Sequence, residues 1–163
     1  MGEIATVTMD EKLYKSTYEA INERRCVFEK TISSRRSTCS SSLRFHLADR
    51  EGISCKSATG NALCTELLGY LRSNARFALH LTHADSPLPH AKEVRVQTGG
   101  MLGLQTALYP ERRERPDIED ILALIDCGLQ RYHSFEHFPY DAIVQNIVHF
   151  EGRRKRDPRN RGD

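Results

Sequence analysis

Apolar residues recur at a helical period over most of this chain. Tyr14, Tyr18, Ile21, Phe28 and Ile32 follow a 3.6-residue spacing. Thr8 and Glu11 have the spacing of a capping box. Together they predict a first helix over residues 9–33, ended by the polar run Ser33-Ser34-Arg35-Arg36-Ser37. A second helix is predicted over 39–51, with Ser37 or Thr38 as its cap and Gly52 as its stop. Thr59 is the cap expected for a third, ending near Leu81, with Leu67, Leu68, Leu71, Ala75 and Ala78 on its buried face.

The middle is irregular. Residues 82–93 carry Pro87 and Pro89 and read as a loop. Residues 94–98 alternate and read as a short strand, closed by Gly99-Gly100, with a short helix over 101–108. Residues 110–115 are a charged linker. Pro116 opens the next helix, where Asp117, Glu119 and Asp120 complement the positive end. Ile118, Ile121, Leu122, Ile125 and Leu129 are its core face. A last helix over 139–150 carries Ile143, Ile147 and Phe150. The fold class is therefore mostly α: a bundle of five or six helices with an irregular middle and one short strand. Its organisation reads as a mobile N-terminus (1–8), a single helical domain (9–152) and a basic tail (153–163).

Composition agrees with this picture. The 163 residues are 39% hydrophobic and 28% charged, ordinary for a soluble domain large enough to bury a core without disulfides. No apolar stretch reaches bilayer length, and residues 1–7 lack the basic start and apolar core of a signal peptide. The expectation is a cytoplasmic protein with no membrane partner. The tail's six basic and two acidic residues, taken from the chain's 24 and 22, leave a body of 18 and 20, net −2. Basicity is thus concentrated in the tail.

Cysteine carries the candidate chemistry. Cys26, Cys39, Cys55 and Cys64 are spaced C-x12-C-x15-C-x8-C, a complete thiolate set for zinc or an iron–sulfur cluster. No pair is C-x2-C, the knuckle usual in structural zinc sites. The wide spacing across predicted helices favours the bulkier iron–sulfur cluster over zinc, the alternative; 4Fe–4S is the favoured form, though 2Fe–2S also takes four cysteines. In a reducing compartment clustered cysteines point to metal or redox chemistry. Cys39 falls at a predicted helix start, Cys55 in the next connection, and Cys64 on the apolar stripe of the third helix. Cys26 falls on the polar side of the first helix, beside Lys15, Glu19 and Asn22. Convergence requires the second and third helices to fold back over it. Arg24, Arg25, Arg35, Arg36, Arg44 and Lys56 flank the set and would offset the negative charge of a four-thiolate cluster. The fifth cysteine, Cys127, is expected as a free thiol on the outer face of its helix.

The functional expectation is a small metal-cluster protein, serving electron transfer or redox sensing through an unidentified redox partner. The alternative is a non-enzymatic adaptor with structural zinc or packed cysteines, whose tail docks nucleic acid or an acidic protein. Other patterns are weaker. His133-Ser134-Phe135-Glu136-His137 matches H-x-x-E-H, the pattern of the inverted zinc peptidases, over five residues only. Pro139 follows it at once, and an incidental histidine pair is the simpler account. His80, His83 and His90 border the proline-rich loop without a supporting carboxylate pattern. Gly99-Gly100-Met101-Leu102-Gly103 lacks the Lys-Ser/Thr of a phosphate loop.

Overall fold

The first predicted helix is two helices. In the computed structural model, which describes residues 10–81 and 88–152, α1 spans Glu11–Ile21 and α2 spans Glu29–Ser33. Asp10 caps α1, accepting from the Lys12 amide; Thr8 lies outside the described residues. The break follows from Asn22. Its side-chain amide donates to the Tyr18 hydroxyl and to the Ile53 carbonyl, each at 3.0 Å, and pulls the chain off the helical path. Residues 24–26 then run extended beside residues 53–55, where the Cys26 amide donates to Ile53 O and the Cys55 amide to Arg24 O. Phe28 and Ile32 are fully buried, whereas Ile21 is exposed.

The predicted second helix is a β-hairpin. Strand β1 (Ser42–Leu47) pairs antiparallel with β2 (Arg50–Cys55), with Leu47 opposite Arg50. Two residues make the turn, Ala48 at φ 50° and Asp49 at φ 66°. Positive φ at both positions matches the right-handed twist of the strands. Gly52 is a strand residue facing Phe45 and does not stop a helix. A side chain there would come within 2.6 Å of the Tyr18 ring, so glycine lets Tyr18 and Phe45 pack across the hairpin.

α3 spans Ala58–Ala75, with Ser57 rather than Thr59 as its cap, accepting from the Gly60 amide at 2.9 Å. It ends six residues before Leu81, and Ala78 is exposed. Of the expected loop over 82–93, residues 82–87 lie outside the described residues and 90–93 are helical, and the expected strand over 94–98 is helical too. α4 (His90–Val94), a π-helical turn (Arg95–Gly99) and α5 (Gly100–Leu108) run end to end. The paired glycines sit inside this helical run. A Cβ at Gly99 would lie 2.8 Å from Ile147 Cα, and one at Gly103 2.8 Å from Ile143 Cα. They are small because another helix crosses there, not because the chain turns.

That helix is α7 (Tyr140–His149). Before it, α6 (Ile121–Tyr132) is capped by Asp120, whose carboxylate accepts from the Leu122 amide at 3.1 Å. It starts later than Pro116 implies because Ile118 is engaged elsewhere, exchanging backbone bonds with Arg36 and Thr38. The core gathers Leu67, Leu71, Met101, Leu104, Ile125 and Ile147 with the buried faces of the other elements. Gln97, in the π turn, donates to the Val27 carbonyl at 3.3 Å and ties the residue after Cys26 to the helical core. The chain is thus mostly helical, with one two-stranded antiparallel sheet. Among the described residues no helix is long and apolar enough to cross a membrane.

Candidate metal centre

The backbone bonds that replace the two predicted helices also carry the cysteines together. β2 is the hub, and Cys55 is its last residue. The extended segment beside it brings Cys26, whose amide donates to Ile53 O at 3.0 Å. On the other side the Lys56 amide donates to Ser41 O at 2.8 Å, drawing in the turn that holds Cys39. The Asn61 side chain donates to the Arg25 carbonyl at 2.9 Å and fastens α3 to the same place. Cys64 follows three residues along α3, buried.

Cys26, Cys39, Cys55 and Cys64 consequently line one cavity, closed by Phe28, Asn61, Ile121 and Leu122. It encloses about 300 Å³ including its mouth. The centre of a water molecule has only about 10 Å³ in which to move, so the cavity is narrow. Cys26, Cys39 and Cys55 are half-buried. None of the five cysteines is in a disulfide. Among the described residues no group of three or more His, Cys, Asp and Glu side chains is placed to hold a single metal ion.

Burial disfavours the thiolate form at Cys26, Cys39 and Cys64. Burial pushes Cys26 up to about 12, and repulsion from the neighbouring Cys39 and Cys55 adds to it. Burial raises Cys64 further, again reinforced by the other three sulfurs. Cys39 is raised by burial, with Asp120 and Cys55 contributing. Backbone amides oppose these shifts: Phe28 N–H faces the Cys26 sulfur, and Ser41 and Leu122 N–H face Cys39. Leu122 lies in the first turn of α6. Cys39 therefore meets the positive end of a helix that is not its own, because residues 36–40 are laced to 118–121. Its expected position at the start of a helix over 39–51 is corrected to a turn before β1.

Cys26 does not lie on a helix face, since α1 ends five residues earlier. The expected cationic shell is also largely dispersed. Arg35 and Arg44 pair with Glu51, Arg25 pairs with Glu29, and Arg36 lies over the Phe150 ring. Arg24 remains at the site, donating to the Cys55 carbonyl at 3.3 Å. Hydrogen-bond donors at the sulfurs are thus mainly backbone amides. Leu122 was not singled out as a site residue in the sequence; its signal is the Asp120 cap that fixes where α6 begins.

Cys127 stands apart. It is half-buried rather than on an open outer face, 3.1 Å from the Tyr109 hydroxyl. His133 is itself left-handed at φ 71°, and His137 ends a 3₁₀ turn and is bound to Ser134 at 2.9 Å, so they do not form the one-turn pair a peptidase requires. His83 and the basic tail lie outside the described residues. The chain matches no protein-family model, no curated protein and no solved structure.

Proposed function

We propose that Cys26, Cys39, Cys55 and Cys64 hold an iron–sulfur cluster, 4Fe–4S, and that the protein works in electron transfer or redox sensing. The observation that carries this reading is the shared cavity: four thiols from four separate segments meet there with no other titratable side chain in its lining. A cluster holds its thiolates around a bulky core, whereas one zinc ion draws four sulfurs to about 2.3 Å from itself. Four cysteines lining one cavity supply the ligand number that either group takes, and their wide spacing in the sequence favours the cluster. The narrowness of the cavity requires the cysteine side chains to turn outward as the core enters.

Amide N–H groups at Cys26 and Cys39 suit a bound cluster, because hydrogen bonds to sulfur and burial together set its potential. Iron supplies the positive charge that overcomes the raised thiol pKa values, so loading releases protons. With four protein ligands every iron is saturated, which favours passing single electrons over binding a substrate at the metal.

Anaerobic purification tests this directly. The protein is expected to be brown, to absorb broadly near about 400 nm, and to contain about four irons per chain. Cys26→Ser is expected to lose the colour and Cys127→Ser to keep it. Colourless protein that cannot be reconstituted with iron and sulfide, or colour that depends on Cys127, would overturn the proposal.

A further inference from the structure

Two adjoining grooves, here called the channel, share Arg25, Glu29 and Lys30 in their linings. The larger, about 750 Å³, runs between α1, α2 and the hairpin. The smaller, about 430 Å³, continues past Cys26 toward Arg72 and Glu93. Their charges are sorted by depth. Glu29 and Glu93 are buried, bound to Arg25 at 2.5 Å and to Arg72 at 2.6 Å. Glu51 is half-buried and engaged by Arg44 and Arg35. Glu11 is held by Arg50. Glu19 is the lining carboxylate that enters no ion pair among the described residues. Lys12, Lys15 and Lys30 likewise enter none. An arriving ligand therefore meets mainly cations.

Aromatic rings organise two of the arginines. The Arg25 guanidinium lies 4.8 Å from the Tyr18 ring centroid, and Arg50 lies 4.6 Å from that of Tyr14. A cation–π contact holds each planar guanidinium beside a tyrosine ring. Their side chains are about half exposed, at 52% and 50%. Flat cationic platforms with lysine point charges between them suit alternating bases and phosphates. A carboxylate-rich peptide would use the charges but not the faces.

We infer that this channel binds single-stranded nucleic acid, with Arg25 and Arg50 stacking on bases and Lys12, Lys15 and Lys30 neutralising backbone phosphates. The inference does not depend on a cluster in the cysteine cavity and assigns no role to residues 153–163.

The test is fluorescence anisotropy of the full chain with a labelled single strand of about twelve nucleotides, within the range such sites cover. A second protein carries Arg153→Gln, Arg154→Gln, Lys155→Gln and Arg156→Gln, and a third carries Lys12→Gln, Lys15→Gln and Lys30→Gln. The tail variant is expected to keep salt-dependent binding. The channel variant is expected to bind at least about tenfold more weakly, with its salt slope lowered by about 2, as three lost phosphate contacts imply. Unchanged helical circular dichroism checks that the lysine variant is folded. Binding that disappears with the tail charges, or is unaffected by the three lysines, would overturn the inference. So would tighter binding of a polyglutamate peptide, which would assign the channel to an acidic protein.

Discussion

At the scale of single residues the thiols define the chemistry, and their titration gives a test that needs no metal. Cys26 is raised from 9.0 to about 12, chiefly by burial, because the thiolate form is disfavoured inside. In metal-free protein the folded state therefore keeps a proton that the unfolded chain releases. The stabilisation that results is fully present below the unfolded value of 9.0 and is lost as pH rises toward about 12. Tyrosines and lysines also titrate there, so the comparison must isolate one thiol. The stability of reduced, metal-free wild type relative to Cys26→Ala should decline steadily from about pH 8 to about pH 11 in urea unfolding. A constant difference across that range would show that Cys26 is not shielded from water. The four cysteines were legible as a set because their residue type and clustering are local facts. Their donors were not: Leu122 reaches Cys39 only through tertiary lacing between residues 36–40 and 118–121.

At the scale of elements, periodicity was reliable wherever one helix face is buried, as in α3, α6 and α7, and failed where tertiary bonds override it. The stripe from Tyr14 to Ile32 spans two helices separated at Asn22, and Ile21 within it is exposed. Residues 42–47 do alternate, but their turn is Ala48-Asp49 rather than the Asn-Gly that announces a hairpin. Residues 94–98 also alternate, yet all of Val96, Gln97, Thr98 and Gly99 are buried in a helical run. Glycine there reports a helix crossing, and this gives a paired prediction. In Gly103→Ala the new methyl falls on the backbone of α7, so overpacking of about 1–3 kcal/mol should outweigh any gain in helix propensity. In Gly69→Ala, at an exposed position of α3 with open space around it, propensity acts alone and should stabilise by about 0.5–1 kcal/mol. Urea unfolding of both variants checks the signs; stabilisation by Gly103→Ala would mean that α5 and α7 stand further apart than described.

At the scale of the molecule, the elements divide by what holds them. α5 and α7 pack through side chains and close backbone approach, and α3 and α6 share the same apolar core. The segment at 24–26 is bonded to β2 and the turn at 36–41 to residues 118–121 and Lys56, while Phe28, Ile32 and Ile53 anchor this region in the core; it is these parts that supply Cys26, Cys39 and Cys55. Only Cys64 belongs to a long helix of the core. Iron binding would cross-link three segments that lie outside the long helices to α3, and the energetic effect should be greatest in those segments. In hydrogen exchange, removing the cluster should speed exchange at residues 22–56 by about tenfold or more while leaving 100–108 and 140–149 unchanged. Helical circular dichroism should persist in the metal-free protein, since α3 and α5 to α7 do not contribute to closing the cavity beyond Asn61, Cys64, Ile121 and Leu122. Equal acceleration throughout the chain would mean that the metal centre is a condition for the whole core. No change at residues 22–56 would mean that the thiols are bridged by nothing and that the backbone bonds around β2 suffice to hold them in place.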